Sequence, residues 1–312
     1  MTLLQSFFDP VLGPFSYGFA QRAVLAASVM AVVAGLLSCW LILVGWSLLG
    51  DAVSHAVLPG VVLAYITGVP FAVGAMLAAL VAVGLVGSVK ERTTLREDTS
   101  IGIIFTTFFA LGLVLLSVTP TGSHLQEILF GNLLGITQTA LWQILAIGAV
   151  AFVVLVANAR TFTLWAFDAE HSRTMGFNTK AIRWALLACL ACVVVASAQA
   201  VGVILVVAML ITPGATAYLW TRRFRRMLLI APLVAWVSCV TGIVLSFNWD
   251  VSTGGTIVLV QSAIFTLTYL FAPREGLIYS LLARSFSRNA ATASNKRRSA
   301  SPGLSSSKPT IG

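Results

Sequence analysis

The sequence has little charge. Only 9% of its 312 residues are Asp, Glu, Lys or Arg, whereas a soluble domain normally carries about 25%. Apolar residues make up 58% of the chain. They come in runs of about 20 residues, enough to cross a bilayer core of about 30 Å. The composition excludes an ordinary soluble domain and indicates a polytopic membrane protein with an all-α helical bundle.

Several catalytic signatures are missing as well. No Gly-Lys dipeptide occurs, which excludes the GxxxxGK[ST] phosphate-binding loop. There is no HExxH metalloprotease helix, and no paired acids or Ser/His constellation lies inside an apolar segment. The chain is therefore predicted not to be an enzyme, and any ATP that it depends on must be hydrolysed by a partner subunit.

Cysteine is scarce, and all four cysteines fall in apolar segments. Cys189 and Cys192 have the CxxC spacing of metal and redox sites. Their neighbours, "LLACLACVVVA", instead favour two small packing residues on a membrane span. No disulfide framework is predicted.

Hydropathy predicts a bundle of eight or nine transmembrane helices. Nine segments are the first choice, and eight is the alternative if the polar residues at 47–55 make that region break or re-enter the membrane. The start, "MTLLQSFFDPVLGPF", lacks a basic region and a cleavage site, so we expect the first span to act as its own insertion signal. The stretch 124–136 is too short to span and is predicted as a re-entrant or interfacial half-helix. The nine segments are 18–44, 46–66, 70–90, 98–118, 138–157, 181–200, 202–220, 228–246 and 254–272.

Positive charge orients these segments, because cytoplasmic loops are enriched in Lys and Arg. Basic residues mark the loops near 90–96, 160–183 and 222–226 and the tail after residue 272, which supplies +6 of the net charge of +9. These loops and the C-terminus are therefore predicted to be cytoplasmic. Aromatic and basic residues do not alternate in the tail, which argues against nucleic-acid binding.

The chain divides into three predicted parts. Residues 1–16 form an N-terminal segment, residues 17–275 form the transmembrane domain, and residues 285–312 form a basic cytoplasmic tail. The tail is rich in Ser, Ala, Lys and Arg, and this composition is typical of disorder.

One acidic residue, Asp51, lies within an apolar segment, whereas the other nine lie in loops, near segment ends or in the tail. His55 follows one helical turn later, so both side chains share a helix face with Ser47. A carboxylate and an imidazole form half of a site for Mn²⁺, Fe²⁺ or Zn²⁺. Pro59 and Gly60 are expected to loosen the helix and free backbone carbonyls beside the pair.

A second interpretation of the pair remains open: His55 could donate to Asp51 within the helix and only specify packing. Two protein ligands are too few for a tight structural metal site. A metal bound here would be in transit, or its site would be completed across a dimer axis. Two histidines remain. We expect His124 to be an interfacial residue and His171 to be an ordinary polar residue of a loop.

A short polar helix is predicted in the loop between the spans that end near residue 157 and start near residue 181. In "FDAEHSRTMG", Asp168 can cap the helix N-terminus and Gly176 can end the helix. A compact helix between two spans suggests a docking element, and an ordinary loop is the alternative.

Five motifs occur in order over residues 17–275: "GDAVSHAVLPGVVLAY", "LREDTSIGIIFTTFFALGL", "ILFGNLLGI", "FDAEHSRTMG" and "VAMLITPGATAYL". Together they resemble the permease subunit of bacterial ATP-binding-cassette importers for manganese, zinc and iron (the ABC-3 type). This resemblance implies a fold like that of the vitamin B12 importer permease, in the bacterial inner membrane.

The resemblance also implies partners and roles. Two permease protomers, identical or similar, form a pore; an external periplasmic or lipoprotein binding protein delivers the metal, and two cytoplasmic ATPase subunits bind the ATP. No cofactor is permanently bound, and the divalent metal is the transported substrate. Asp51 and His55 are the implied pore ligands, which we expect near the outer half of the pore. The implied pore-lining residues are Ser47, Met209, Thr212 and Pro213. The implied ATPase-coupling helix, about 168–176, includes Asp168, Ala169, Glu170, Arg173 and Gly176.

Other functions predict different behaviour. An ion-coupled secondary transporter would work without an ATPase, but proton relays usually need several intramembrane acids. An intramembrane enzyme would need convergent polar residues at one depth. A permease for a chelate such as haem, vitamin B12 or a siderophore would not need a carboxylate–imidazole pair.

Overall fold

The computed structural model describes residues 17–94, 96–119 and 135–272. These residues form twelve helices and, within those ranges, no strand, which confirms the predicted all-α fold. The helices are α1 Gly18–Val44, α2 Ser47–Ala56, α3 Leu58–Thr67, α4 Phe71–Arg92, α5 Glu97–Val118, α6 Gln138–Ala157, α7 Ala159–Phe167, α8 Ala169–Thr174, α9 Thr179–Val201, α10 Val203–Trp220, α11 Phe224–Trp249 and α12 Thr253–Phe271.

All nine predicted apolar segments are helical. Eight stretches within the described residues are long and apolar enough to cross a membrane, counting α2 and α3 together as one span, Ser47–Thr67. The segment 202–220 corresponds to α10. Its apolar part, Leu205–Trp220, is shorter than the eight stretches that can cross. At 1.5 Å per residue the 18 residues of α10 extend about 27 Å. The choice between eight and nine spans therefore rests on α10.

The predicted segment 46–66 is interrupted as expected. α2 ends at Ala56, Val57 forms a turn, and Pro59 occupies the first turn of α3. Pro59 has no N–H, so the carbonyl of His55, four residues earlier, loses its regular helical donor. The interruption is slight, because the N–H of Val61 still donates to the carbonyl of Val57 at 3.1 Å.

Gly60 has a different role from the one expected. A Cβ on Gly60 would lie 2.6 Å from the Cβ of Ala78 and would also collide with the carbonyl of Gly74. The two glycines thus let α3 and α4 approach backbone to backbone, as small residues do in membrane bundles.

α1 is the central helix of the bundle, with 15 buried residues. Its Trp40 is fully buried and contacts Phe162 of α7 and Phe224 of α11, with ring centroids 6.0 and 5.7 Å apart. Gly35 allows α11 to approach α1 closely, because a Cβ at this position would lie 2.9 Å from the Cα of Pro232. α1 therefore joins α7 and α11 through its buried face.

Some predictions lie outside the described residues. These are the N-terminal segment 1–16, most of the expected half-helix 124–136 with His124, and the tail 285–312. They remain predictions, as do the boundaries of the three predicted parts.

Candidate functional site

Asp51 and His55 lie next to each other on one face of α2. Nε2 of His55 is 3.5 Å from Oδ1 of Asp51. This separation is longer than the 2.7–3.2 Å of a typical N–H···O hydrogen bond. Ser54 bonds the backbone of the same turn, because its hydroxyl donates to the carbonyl of Asp51 at 2.7 Å. The pair is therefore close without being joined by a short hydrogen bond.

The same separation suits a shared metal ion. With ligand bonds of about 2.1 Å, typical of carboxylate and imidazole ligands, two donor atoms 3.5 Å apart subtend about 110° at the metal. Within the described residues, no group of three or more His, Cys, Asp or Glu comes close enough to hold a metal. Any ion bound between Asp51 and His55 would thus take its further ligands from backbone, water or another chain.

Two phenylalanines of α5, Phe105 and Phe109, enclose the imidazole of His55. Both ring centroids are 5.4 Å from that of His55, at interplanar angles of 63° and 83°. Edge contacts of this kind favour one ring orientation. Sequence reasoning missed these two residues as site residues. Their spacing of four in "FTTFF" signals a shared helix face, but only the fold shows that the face meets His55.

Both side chains are partly open in a single protomer, with exposed fractions of 33% for His55 and 41% for Asp51. The neighbouring helix α5 is largely uncovered, since only 11% of its apolar stretch is buried. The site therefore lies on an open flank of the bundle rather than in its core.

Two of the four other pore-lining candidates are less exposed than the pair. Met209 is fully buried, Pro213 is buried, and Ser47 and Thr212 are half-buried. α10, which carries three of the four, packs against α2, because a Cβ on Gly50 would lie 3.0 Å from Leu210. Met209 is therefore enclosed within the bundle in this arrangement. The pore-lining role of these four residues stays a prediction.

The short helix in the loop between α6 and α9 is α8, as predicted. Oδ1 of Asp168 accepts the N–H of His171 at 2.8 Å, which confirms the N-cap. Gly176 follows the helix with a φ of +87°, a conformation that favours glycine. Ala169, Glu170, His171 and Arg173 are exposed.

Exposed apolar side chains flank α8 on both sides. Phe167, Met175 and Phe177 have exposed fractions of 63%, 59% and 43%. Single exposed apolar residues are ordinary, but three around a polar helix form a patch. Such a patch is suited to contact with another protein.

The α1–α2 turn lies at the same end of the bundle as α8. The ring of Trp46 in this turn is 5.6 Å from that of Trp165 on α7. Asp51 and His55 are the fifth and ninth residues of the span that begins at Ser47, so they lie in its first half. Loop charge predicts this end to be cytoplasmic, whereas the pair is expected near the outer half of the pore; both placements stay predictions.

The cysteines behave as packing residues. Cys39, Cys189 and Cys239 are buried, Cys192 is half-buried, and all four thiols are free. The Sγ of Cys39 lies 3.4 Å from the carbonyl of Met227, across the α1–α11 contact.

Comparison with known proteins identifies the family. The profile of the ABC 3 transport family matches residues 16–272, which is most of the chain. The chain belongs to the ABC 3 transport family. The resemblance inferred from the five motifs is thereby confirmed.

Curated relatives within the ABC 3 transport family carry transport names. The chain is 46% identical over 264 residues to the chelated iron transport system membrane protein YfeD of Yersinia pestis, covering 85% of this chain and 89% of that protein. It is 43% identical over 272 residues to the manganese transport system membrane protein MntB of Synechocystis, covering 87% and 89%.

A solved structure supports the fold. PsaBC from Streptococcus pneumoniae in complex with Fab matches with a TM-score of 0.78 at 34% identity, over 88% of this chain and 98% of that one. An inward-facing metal-chelate type ABC transporter matches in fold with a TM-score of 0.66 at 17% identity, over 80% and 85%.

Proposed function

We propose that this chain is the membrane-spanning permease subunit of an ATP-binding-cassette importer that carries a divalent transition metal (manganese, iron or zinc). Family membership supports the permease role, and the relatives named for manganese and chelated iron support the metal. The chain is a transport subunit without an ATPase site of its own, and the metal is its substrate.

The observation that carries the proposal is the Asp51–His55 pair. Holding an ionisable group inside a membrane span costs at least about 2.5–3.5 kcal/mol on insertion scales. A role in transport explains this cost, because the two donor atoms are spaced to share one ion. Two ligands bind loosely, and a transported ion must leave the site again.

A second protomer completes the pore in this proposal. α5 and the partly exposed side chains of Asp51 and His55 form an open flank. In the dimer this flank would face the equivalent flank of the partner, so that the Asp51–His55 pairs of both protomers would line one pore. The partner is a second copy or a similar subunit. A binding protein outside the membrane delivers the metal.

α8 is the proposed contact with a cytoplasmic ATPase. Its capped, exposed turn and the apolar patch of Phe167, Met175 and Phe177 offer a compact surface for such a subunit. Asp168, Ala169, Glu170, Arg173 and Gly176 belong to this surface or to its caps. This placement follows from loop charge, which predicts that α8 and the C-terminal tail lie on the cytoplasmic side of a bacterial inner membrane.

Metal uptake into vesicles tests the proposal. The assembled transporter is reconstituted with its ATPase, and radioactive Mn²⁺ uptake is measured for the unchanged chain and for Asp51→Asn with His55→Gln. Both substitutions keep side-chain size approximately and replace the carboxylate and the imidazole by neutral amides, which are weaker metal ligands. We expect uptake to fall at least about tenfold while ATPase assembly is unchanged, the loss expected for a ligand pair worth about 1.4 kcal/mol or more.

Asp98→Asn is the matched control, because it removes an exposed carboxylate at the start of α5, away from the pair. Its uptake should equal that of the unchanged chain. Undiminished uptake in the double variant, at equal amounts of assembled transporter, would contradict the role of the pair.

A chelate permease is the second candidate, because YfeD is named for chelated iron. Such a pore would recognise the chelator rather than the ion. Uptake of free Mn²⁺ should then be absent, and loss of Asp51 and His55 should leave chelate uptake unchanged. Parallel uptake assays with free and chelated metal distinguish the two.

A further inference from the structure

The orientation of the His55 ring decides whether the residue can bind a metal ion together with Asp51. The χ2 torsion of histidine is broad and roughly two-fold. Turning the ring over about this torsion exchanges Nε2 for Cε1, so that a carbon would then face Oδ1 of Asp51, which lies 3.5 Å from Nε2. In metal sites the ring is usually fixed by a hydrogen bond from its second nitrogen.

Helix α5 supplies the aromatic contacts of the His55 ring. Within the described ranges, the polar and aromatic contacts of this ring are those with Asp51, Phe105 and Phe109. The two phenylalanine rings also stack on each other, with centroids 5.9 Å apart and planes 21° apart. The three ring centroids thus form a nearly equilateral triangle, in which each phenylalanine supports the other against the imidazole.

The two phenylalanines belong to one face of a continuous helix. They are four residues apart in α5, which runs from Glu97 to Val118, so they move together with its backbone. Phe108, which lies between them in sequence, faces α3 and α4 instead, where it lines an apolar groove with Leu63 and Leu77. α5 therefore directs two phenylalanines to His55 and a third to a different neighbour.

We propose that Phe105 and Phe109 are positioning residues for metal binding. They keep the imidazole of His55 turned so that Nε2, and not a carbon, faces Asp51. Contacts between aromatic rings depend on the angle at which the rings meet, so two edge contacts favour one orientation over the reversed one. The inference rests on the proposed function, because it concerns how the pair binds the transported ion.

Electron paramagnetic resonance of bound Mn²⁺ tests the inference. The permease assembled with its ATPase, without nucleotide or binding protein, is titrated with Mn²⁺ to measure the affinity. Spin-echo modulation by nitrogen then shows whether an imidazole is coordinated. Phe105→Leu and Phe109→Leu should each weaken Mn²⁺ binding about two- to tenfold, the factor that one aromatic contact contributes. The double variant should weaken binding about tenfold or more and reduce the nitrogen modulation per bound ion.

Three control variants separate ring orientation from packing. Phe108→Leu removes the same ring from the same helix, but from the face that meets α3 and α4. It should leave the Mn²⁺ affinity and the nitrogen modulation unchanged. Phe105→Tyr with Phe109→Tyr keeps both rings and should keep both signals. His55→Gln identifies the part of the nitrogen modulation that comes from His55.

Two results would overturn the inference while leaving the metal role of His55 intact. One is equal Mn²⁺ affinity and equal His55-dependent modulation in the unchanged chain and in Phe105→Leu with Phe109→Leu. The other is an equal loss in Phe108→Leu, which would assign the effect to the packing of α5. Nitrogen modulation that is absent, or that persists in His55→Gln, is a distinct result, because it would overturn the proposed role of His55 and this inference with it.

Discussion

Ser38 supports α10 where Pro213 interrupts its backbone hydrogen bonds. The hydroxyl oxygen of Ser38 on α1 accepts the N–H of Gly214 at 3.0 Å. It also lies 3.4 Å from the carbonyl of Ile211, to which it can donate. A proline within a membrane helix is tolerated when a neighbouring side chain bonds the freed backbone groups. Ser38 thus joins the central helix to the helix that packs behind the Asp51–His55 pair.

Replacing Ser38 by alanine should destabilise the bundle. The variant leaves the N–H of Gly214 without this acceptor in a buried place, which costs about 1–2 kcal/mol. Thermal unfolding of the purified chain measures the effect. Ser88→Ala is the control, because the Ser88 hydroxyl is exposed and bonds only within its own helix, to Gly84 at 2.8 Å. Equal stability of both variants would show that the Ser38 contact contributes nothing.

Gly60 and Gly74 make the closest contact between α3 and α4. A methyl group on either would meet backbone atoms of the other helix. Backbone atoms cannot rotate out of the way as a side chain can, so the two helices would have to separate. Gly60 lies five residues after His55, in the helix that follows α2.

Gly60→Ala should lower stability by about 1–3 kcal/mol, the usual cost of overpacking. Gly102→Ala is the matched control, because nothing lies within 4 Å of a Cβ at Gly102 in α5. There alanine should be neutral or stabilising by up to about 1 kcal/mol, through its better helix propensity. If Gly60→Ala unfolds at the same temperature as Gly102→Ala, the close approach of α3 and α4 is wrong.

At the scale of elements, α8 is a helix of six residues held by its caps. So short a helix has little stability of its own. Loss of the Asp168 cap should cost about 1 kcal/mol. A surface that must be helical to bind an ATPase is sensitive to this loss.

Asp168→Ala should weaken the proposed ATPase contact about fivefold, the equivalent of about 1 kcal/mol. Asp168→Asn should retain it, because asparagine caps as well as aspartate. Binding of the purified ATPase to the reconstituted chain measures both. Thr137→Ala is the control, since Thr137 caps α6 at the far end of that helix. Equal ATPase binding by Asp168→Ala and the unchanged chain would contradict the docking role.

Local sequence signals predicted several elements correctly. The nine apolar segments, the Asp168 cap and the end of α8 at Gly176 all depend on residues close in the chain. The break near Pro59 was predicted too, because proline acts within its own helix. Asp51 and His55 could be paired from sequence since they are one turn apart.

Contacts between distant segments could not be predicted in the same way. Phe105 and Phe109 meet His55 only because α5 packs on α2. Gly60 was interpreted as a loosening residue, whereas its contact with Gly74 requires knowledge of the α3–α4 pairing. The contact between Trp46 and Trp165 likewise joins two segments that are far apart in sequence.

At the scale of the whole molecule, the two ends of the bundle differ. The α1–α2 turn, α7, α8 and the α10–α11 turn gather at one end, as the contacts Trp46–Trp165 and Phe167–Phe224 show. Loop charge predicts that this end is cytoplasmic. The α11–α12 turn, one span away from the α10–α11 turn, should lie on the other side.

Labelling of single cysteines tests this topology and the crossing of α10. In a background with the four native cysteines replaced by alanine, Thr174→Cys and Arg223→Cys should react only with a reagent on the cytoplasmic side. Val251→Cys should react from outside. Reaction of Arg223→Cys and Thr174→Cys from opposite sides would mean that α10 does not cross and that eight spans are correct.

The account depends most on a metal ion passing between Asp51 and His55. Anomalous diffraction from crystals of the assembled transporter soaked in Mn²⁺ tests this directly. We expect a manganese peak within bonding distance of Oδ1 of Asp51 and Nε2 of His55, and no such peak in the Asp51→Asn, His55→Gln variant. Manganese bound in the pore at other residues, with Asp51 and His55 facing lipid, would contradict the account.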